Sequence, residues 1–217
     1  MKSFSLIVID FDGVVFNDHR FKAAYESLFR HAGVTHEVYE RTYEQTKKKG
    51  YYDPRIHIQL ALAHKSSVQI RLYAQVIRFV GQSSKYIYRD VPDFLAFLEK
   101  EGIRAVLLST GDAQFQKQKI NKSGITDLFD DIIIISDSSK VSALDTLIRK
   151  KKPASTIFID DKKEVVEEVK KSLPEVYTIQ MRRRETQVLA RGVDLEIKDF
   201  SQSVEFITNW HRENRGS

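Results

Sequence analysis

The sequence predicts an α/β protein in which a doubly wound parallel sheet carries a helical cap inserted after its first strand. From about residue 91 onward, short apolar runs alternate with helical patterns, which is typical of a parallel sheet built by right-handed crossovers. The apolar runs are nearly continuous, as expected for strands that are buried on both faces. Residues 17–88 contain no convincing strand pattern, so they interrupt the alternation with a helical insertion.

Six segments are predicted to be strands, and the first four of them are nearly continuous apolar runs. The clearest is the run of four isoleucines at 132–135, which is β-branched throughout. The predicted strands cover residues 4–10, 103–109, 131–135, 156–160, 176–180 and 193–197.

Helical patterns lie between these strands. The helix predicted at 92–101 has Pro92 in its first turn and Gly102 directly after it, which are favourable start and stop signals. Further core helices are predicted at 113–122, 141–150, 162–172 and 203–210.

The insertion is predicted to be a bundle of helices. Two groups of apolar residues follow helical spacing, and helices are also expected near 36–48 and 54–64, with a loop at 50–54. The two groups are Phe21, Tyr25, Leu28, Phe29 and Val68, Leu72, Val76, Val80. An ordinary connection is only a few residues long. We therefore assign 17–88 to a cap over the carboxyl edge of the sheet, and 1–16 with 89–217 to the α/β core.

Composition excludes several classes of function. The 217 residues include no cysteine, which excludes disulfides and thiolate catalysis. No apolar run approaches the roughly 18 residues of a membrane span, so we expect a cytoplasmic protein with no membrane partner. The net charge is +5, but the basic runs at 47–49, 149–152 and 182–184 are interpreted as solvated loops or helix ends. Without a nucleic-acid motif, nucleic acid is not an expected partner, although the run at 182–184 could steer an anionic one.

Polar residues follow four of the predicted strands at the point where each ends. Ligands of open parallel sheets bind at the carboxyl ends of the strands, so these residues are expected to converge. They are Asp10 and Asp12 after the first strand, Ser109 and Thr110 after the second, Lys140 after the third, and Asp160 and Asp161 after the fourth. Four carboxylates at one spot favour a hard divalent cation, and Mg²⁺ is the expected cofactor.

This set suits phosphoryl transfer. A carboxylate such as Asp10 can attack phosphorus and form an aspartyl-phosphate. A second carboxylate two residues later, Asp12, can protonate the leaving oxygen and then activate water. A hydroxyl and a lysine can hold the phosphoryl oxygens and offset their charge.

These residues resemble the four motifs of the haloacid dehalogenase-like hydrolase superfamily, which has a Rossmann-like core. The matching segments are Asp10-Phe11-Asp12-Gly13-Val14-Val15, Ser109-Thr110-Gly111-Asp112, Lys140 and Asp160-Asp161. The resemblance implies that Asp10 is the nucleophile and a Mg²⁺ ligand. It implies that Asp12 is the acid/base and binds Mg²⁺ through its backbone carbonyl, and that Asp160 and Asp161 complete the metal site. Ser109, with Thr110 beside it, and Lys140 would bind phosphate.

The expected function is hydrolysis of a small phosphorylated metabolite, a phosphomonoester chosen by the cap. The resemblance also implies that Asp12 disfavours dehalogenation, because dehalogenases of the family do not keep an Asp there. A phosphomutase of the same fold and a non-catalytic binding or regulatory protein remain alternatives. Four other expectations concern individual residues: Asp112 as a helix N-cap or a substrate contact, Glu164 as a solvated helix residue, Arg20 as a surface residue, and Tyr51 and Tyr52 as loop residues that could face the cleft.

Overall fold

The computed structural model describes residues 4–47, 52–63, 65–136 and 139–214. A six-stranded parallel sheet in the order β3-β2-β1-β4-β5-β6 forms its centre. The strands are β1 Leu6–Ile9, β2 Arg104–Thr110, β3 Asp131–Ile135, β4 Thr156–Asp160, β5 Tyr177–Met181 and β6 Leu195–Ile197. All six predicted strands are confirmed, with ends shifted by one residue at most except at the starts of β1 and β6, which begin two residues later than predicted.

The register places the ends of three strands side by side. Ile9 at the end of β1 pairs with Leu107 of β2 on one side and with Ile159 of β4 on the other. The residues that directly follow β1 therefore lie between the last residues of β2 and β4. This sheet order brings chain segments together that are about a hundred residues apart in sequence.

Nine α-helices surround the sheet in the described ranges. They are α1 Asp18–His31, α2 His36–Lys47, α3 Pro54–Ala61, α4 Ser66–Val80, α5 Val91–Lys100, α6 Ala113–Asn121, α7 Lys140–Lys151, α8 Lys163–Ser172 and α9 Phe200–Asn214. Side chains cap several N-termini: Asn17 accepts from the Arg20 amide, Asp53 from the Arg55 amide, and Ser139 from the Ser142 amide.

The predicted helices agree with these except at their ends. The last helix is longer than predicted, and α3 ends at Ala61 rather than near 64. Lys140, expected in the loop before a helix, is instead the first residue of α7. Residues 50 and 51 of the predicted loop at 50–54 lie outside the described residues, residues 52 and 53 precede α3, and Pro54 begins it.

Alternate residues of the strands face two apolar clusters, as the two-residue period of a strand requires. Ile7 and Ile9 of β1 belong to a large cluster that also contains the apolar faces of α1 and α4. Leu6 and Val8 face the opposite cluster, which α7 and α8 cover. The helices of residues 17–88 therefore share one apolar core with one face of the sheet.

The two connections between the sheet and the helical insertion run side by side. Phe16 pairs with Ile87 in an isolated antiparallel bridge, and the Tyr88 amide donates to the Val15 carbonyl at 3.1 Å. These contacts lie at the proposed domain boundaries of 16/17 and 88/89, which stay a prediction. No helix in the described ranges is long and apolar enough to cross a membrane.

Candidate active site

The loop after β1 turns tightly because of Gly13. Its amide donates to the Phe16 carbonyl at 2.8 Å, and its φ of +82° lies in the left-handed region that glycine adopts at little cost. A Cβ at this position would lie 2.4 Å from Asp161 Oδ2. Gly13 therefore allows the loop to approach the end of β4 closely.

Lys140 lies between the carboxylates that end β1 and β4. Its Nζ is 2.6 Å from Asp10 Oδ1 and 2.6 Å from Asp160 Oδ2. All three side chains are buried. Because one ammonium faces two carboxylates, the buried group carries an excess of negative charge when all three are ionised.

A third carboxylate, that of Asp161, adjoins this group. Asp10, Asp160 and Asp161 each contribute an oxygen, and these oxygens lie within 4.8 Å of one another. Asp161 Oδ2 accepts from Gln187 Nε2 at 3.1 Å, whereas its Oδ1 is buried and has no hydrogen-bond partner among the described residues. A buried polar atom without a partner is costly, and a cation bound to this oxygen would remove the cost. An all-oxygen donor set of this kind fits Mg²⁺.

The environment resists ionisation of the Asp10 and Asp161 carboxyls. Burial and the neighbouring Asp160 raise the pKa of Asp10 to about 7, although Lys140 acts to lower it. Burial and the Asp160 charge raise the pKa of Asp161 to about 6. Burial would lower the pKa of Lys140, but the two carboxylates beside it raise that pKa above its ordinary value. A divalent cation would stabilise the ionised carboxylates by direct charge attraction.

The Asp12 carboxylate is not part of this group, which corrects the expectation that four carboxylates converge. It lies against α6, where Lys119 Nζ is 2.8 Å from Oδ1 and 3.0 Å from Oδ2. Gln116 Nε2 also donates to Oδ2 at 2.7 Å. Burial opposes ionisation, yet the Lys119 ammonium and the Gln116 amide hold the pKa of Asp12 below its ordinary value. The expected Mg²⁺ contact through the Asp12 backbone carbonyl remains a prediction.

The two hydroxyl residues at the end of β2 differ in exposure. Ser109 is buried, and its Oγ accepts from Gln116 Nε2 at 2.7 Å. Thr110 is exposed and lines the cavity beneath the helical insertion. Ser109 is therefore the hydroxyl that hydrogen bonds hold in place.

A cavity of about 380 Å³ lies between α1, α2 and the strand ends. Its walls are rich in aromatic side chains and also carry charged residues. The aromatic wall residues are Phe21, Tyr25, Tyr39, Tyr43, Tyr52 and Phe115, and the charged ones include Asp12, Asp18, Lys22, Lys47, Asp112, Lys119 and Lys162. The cavity therefore joins the Asp12 side chain to the inner surface of the insertion.

The structure agrees with the expectations for individual residues wherever it describes them. Tyr52 lines the cavity, as expected, whereas Tyr51 lies outside the described residues. Asp112 caps α6 by accepting from the Phe115 amide at 2.7 Å, and Glu164 is exposed on α8. Arg20 is exposed, with its guanidinium carbon 5.8 Å from the Tyr86 ring centroid.

The basic run at 182–184 is not a solvated patch. Arg183 donates to the Val14 carbonyl at 2.9 Å and to Asp90 at 2.7 Å, and its guanidinium carbon lies 4.1 Å from the Tyr88 ring centroid. Arg182 pairs with Glu196. The expectation of solvation is wrong for these two arginines, because Arg183 joins the two connections of the insertion to the core.

Sequence reasoning missed Gln116 and Lys119, which hold Asp12, and Gln187, which holds Asp161. The signal for the first pair is weak: they are polar residues spaced three apart on a helix, and that spacing places them on one face. Whether such a face meets solvent or a carboxylate depends on tertiary contacts.

The fold and site define an α/β protein with carboxylates at the ends of adjacent parallel strands and a helical insertion above them. Residues 4–178 match the sequence profile of the haloacid dehalogenase-like hydrolases. The chain belongs to this family, because the match covers most of its length. Among curated proteins, none matches the chain.

Solved structures resemble the whole chain. A protein from Burkholderia xenovorans, classed as a haloacid dehalogenase-like hydrolase, has a TM-score of 0.75 and 19% identity over 96% of this chain and 98% of its own. A magnesium-bound HAD-class hydrolase of Bacillus subtilis, YfnB, has a TM-score of 0.65 and 13% identity over 95% and 100%. A 2-haloacid dehalogenase from Pseudomonas syringae has a TM-score of 0.68 and 15% identity over 95% and 99%. At these identities the likeness shows the fold alone.

Proposed function

We propose that this protein is a Mg²⁺-dependent phosphatase that hydrolyses a small phosphomonoester through an aspartyl-phosphate on Asp10. One observation carries the proposal. The buried Asp10–Lys140–Asp160 group adjoins an unpartnered Asp161 oxygen, and this arrangement offers a nucleophile, a fixed positive charge and room for a cation.

In the first half-reaction, an Asp10 carboxylate oxygen attacks phosphorus and the bond between phosphorus and the ester oxygen breaks. The leaving oxygen takes a proton from Asp12. Negative charge from the bound phosphate favours that protonated form of Asp12, because nearby like charges raise a carboxyl pKa. The leaving group then departs as an alcohol.

In the second half-reaction, the Asp12 carboxylate removes a proton from water, and the water oxygen attacks phosphorus. The bond to Asp10 breaks, which regenerates its carboxylate and releases inorganic phosphate. Lys140 and the Ser109 hydroxyl stabilise charge on the phosphoryl oxygens in both halves.

Asp10, Asp160 and Asp161 are the side chains proposed to hold Mg²⁺, with Asp12 contributing its backbone carbonyl. The bound ion supplies charge neutralisation at the phosphoryl oxygens. The magnesium-bound structure of the Bacillus subtilis relative supports this choice of ion.

The similarity to a 2-haloacid dehalogenase makes attack on carbon the competing chemistry. Asp12 favours attack on phosphorus, because an acid/base at this position serves an ester oxygen, whereas a departing halide needs no proton. The cavity of about 380 Å³ supports a small phosphorylated metabolite as substrate.

The test is phosphate release from a broad panel of phosphomonoesters with and without Mg²⁺, alongside halide release from 2-haloacids. Asp10→Asn is the control, and circular dichroism would confirm that it is folded. The proposal expects phosphate release that requires both Mg²⁺ and Asp10. Halide release without Mg²⁺ would overturn it, and transfer of the phosphoryl group to a sugar phosphate rather than to water would indicate a mutase.

A further inference from the structure

Helix α6 presents two adjacent polar side chains to the acid/base carboxylate, and nothing in the four motifs accounts for them. Gln116 and Lys119 lie on the same face of the helix, because residues three apart are neighbours on a helix surface. Both side chains are buried: Gln116 is 4% exposed and the Lys119 side chain 8%. The large majority of buried polar groups in proteins have a hydrogen-bond partner.

The hydrogen-bond directions around Gln116 are fixed by chemistry. Its Nε2 lies 2.7 Å from Asp12 Oδ2 and 2.7 Å from Ser109 Oγ. A side-chain amide nitrogen has two hydrogens and can only donate. Ser109 Oγ is therefore an acceptor in this contact, and its own hydrogen is left for another acceptor such as a phosphoryl oxygen.

The loop before α6 leaves room for this amide. A Cβ added at Gly111 would lie 3.4 Å from Gln116 Oε1 and 3.5 Å from its Cδ, which is at the tight end of ordinary contact. Asp112 starts the helix by accepting from the Gln114 and Phe115 amides. The segment that follows β2 thus places Gln116 directly beside the serine that ends the strand.

Lys119 holds the other side of the same carboxylate. Its Nζ contacts both Asp12 oxygens and lies within 5.9 Å of the centroids of four aromatic rings. These rings belong to Phe11, Phe16, Phe21 and Phe115. Cation–π attraction and the ion pair with Asp12 both restrain the ammonium, so the position of the Lys119 side chain is fixed from two sides.

We propose that Gln116 and Lys119 are positioning residues that hold the Asp12 carboxylate in register with the Ser109 hydroxyl. Asp12 and Ser109 are distant in sequence, and one amide nitrogen joins them. This inference rests on the proposed phosphatase function, since it assigns Asp12 the acid/base role. Its consequence is that loss of either residue impairs proton transfer to the leaving oxygen more than it impairs attack by Asp10.

The leaving group of the substrate separates these two effects. An alkyl phosphomonoester needs its departing oxygen protonated, whereas p-nitrophenolate departs without a proton. The quantity to compare is kcat/KM, because it covers the steps up to loss of the leaving group and omits hydrolysis of the aspartyl-phosphate. Gln116→Met and Lys119→Met remove the donors and keep much of the side-chain volume.

We expect the ratio of kcat/KM for an alkyl ester to that for p-nitrophenyl phosphate to fall about tenfold or more in each variant, because general acid catalysis contributes about 10²–10⁴-fold. The same helix offers matched controls: Lys117→Met and Gln118→Met change exposed residues of the same types, and they should leave the ratio unchanged. Thermal unfolding would confirm that all four variants are folded.

Equal loss on both substrates in the folded variants would overturn this inference while leaving the phosphatase proposal intact. A wild-type protein that hydrolyses neither ester in the presence of Mg²⁺, and no member of the panel, would overturn the proposed function itself and this inference with it. If Lys119→Met does not fold, Gln116→Met alone decides, because it removes no charge.

Discussion

Two buried polar groups of this molecule are built on opposite principles. At the strand ends, Asp10, Asp160 and Lys140 are charged groups with more negative than positive charge. In the helical insertion, Tyr25, Tyr52 and His57 form a neutral chain: the two tyrosine hydroxyls are 2.7 Å apart, and Tyr52 Oη is 2.9 Å from His57 Nδ1.

The hydrogen-bonded residues Tyr25, Tyr52 and His57 find all their partners within the insertion. His57 Nε2 lies 3.2 Å from the Tyr39 carbonyl, so the polar side-chain atoms of these three residues all have hydrogen-bond partners. The strand-end group, in contrast, adjoins an Asp161 oxygen that has no hydrogen-bond partner among the described residues. The proposed Mg²⁺ would supply that partner, whereas the polar atoms of Tyr25, Tyr52 and His57 need no ligand to be paired.

The largest expected effect comes from removing the ammonium that contacts both Asp10 and Asp160. Lys140→Met should lower the free energy of unfolding in metal-free buffer by about 3–5 kcal/mol, because it leaves two buried carboxylates without their charged partner. Chemical denaturation would measure this loss. Added Mg²⁺ should raise the free energy of unfolding more in the variant than in wild type. An equal increase in both proteins would contradict the view that the strand-end carboxylates need a cation.

A pH-dependent effect should follow from His57, whose pKa is lowered by burial to about 4. The unfolded chain takes up the proton first, so stability is full above pH 6.5 and is lost as the pH falls toward 4. The expected loss is up to roughly 3 kcal/mol, at 1.36 kcal/mol per unit of pKa.

His57→Gln supplies the control, since glutamine stays neutral and can both accept and donate. The variant should show a shallower fall in unfolding free energy between pH 6.5 and 4 than wild type. Parallel curves for the two proteins would show that His57 is not held neutral.

A smaller loss of unfolding free energy is expected when the hydrogen bonds between Tyr25, Tyr52 and His57 are removed. Tyr52→Phe should lower the free energy of unfolding by about 1–3 kcal/mol, because it leaves buried polar atoms of Tyr25 and His57 without their hydrogen-bond partner. Mg²⁺ should not change this cost. A loss of unfolding free energy that changes with Mg²⁺ would mean that the hydrogen bonds of the insertion are coupled to the proposed metal site at the strand ends.

The smallest effect is expected at Arg184, the exposed member of the basic run. Arg182 and Arg183 are engaged by Glu196 and Asp90, so only Arg184 is available to steer an anion. Arg184→Gln should change KM by about twofold or less even at low salt, since a single exposed charge interacts weakly through water. A larger rise in KM that disappears at high salt would restore the steering hypothesis.

The same contrast explains what the sequence could predict. Asp10, Ser109, Lys140 and Asp160 each follow an apolar run, and the edge of a parallel sheet collects such residues by topology alone. Their gathering follows from local patterns and one general rule.

Other parts of the site depend on contacts that no local pattern encodes. Gln116 and Lys119 look like ordinary helix-surface residues, and Arg183 looks like part of a solvated run. Each becomes buried only because a distant carboxylate or carbonyl lies opposite it. The Asp12 carboxylate was expected to converge with the other three carboxylates. It lies against α6 instead, because Gln116 and Lys119 are its partners.

The central claim is that Asp10 becomes phosphorylated during turnover. The most direct measurement is to mix the protein with its best substrate and Mg²⁺, quench with acid, reduce with borohydride and map the peptides by mass spectrometry. We predict conversion of Asp10 to homoserine, which marks an aspartyl-phosphate, and none in Asp10→Asn. Conversion at another aspartate, or substrate turnover with no modified Asp10 at any quench time, would contradict the account.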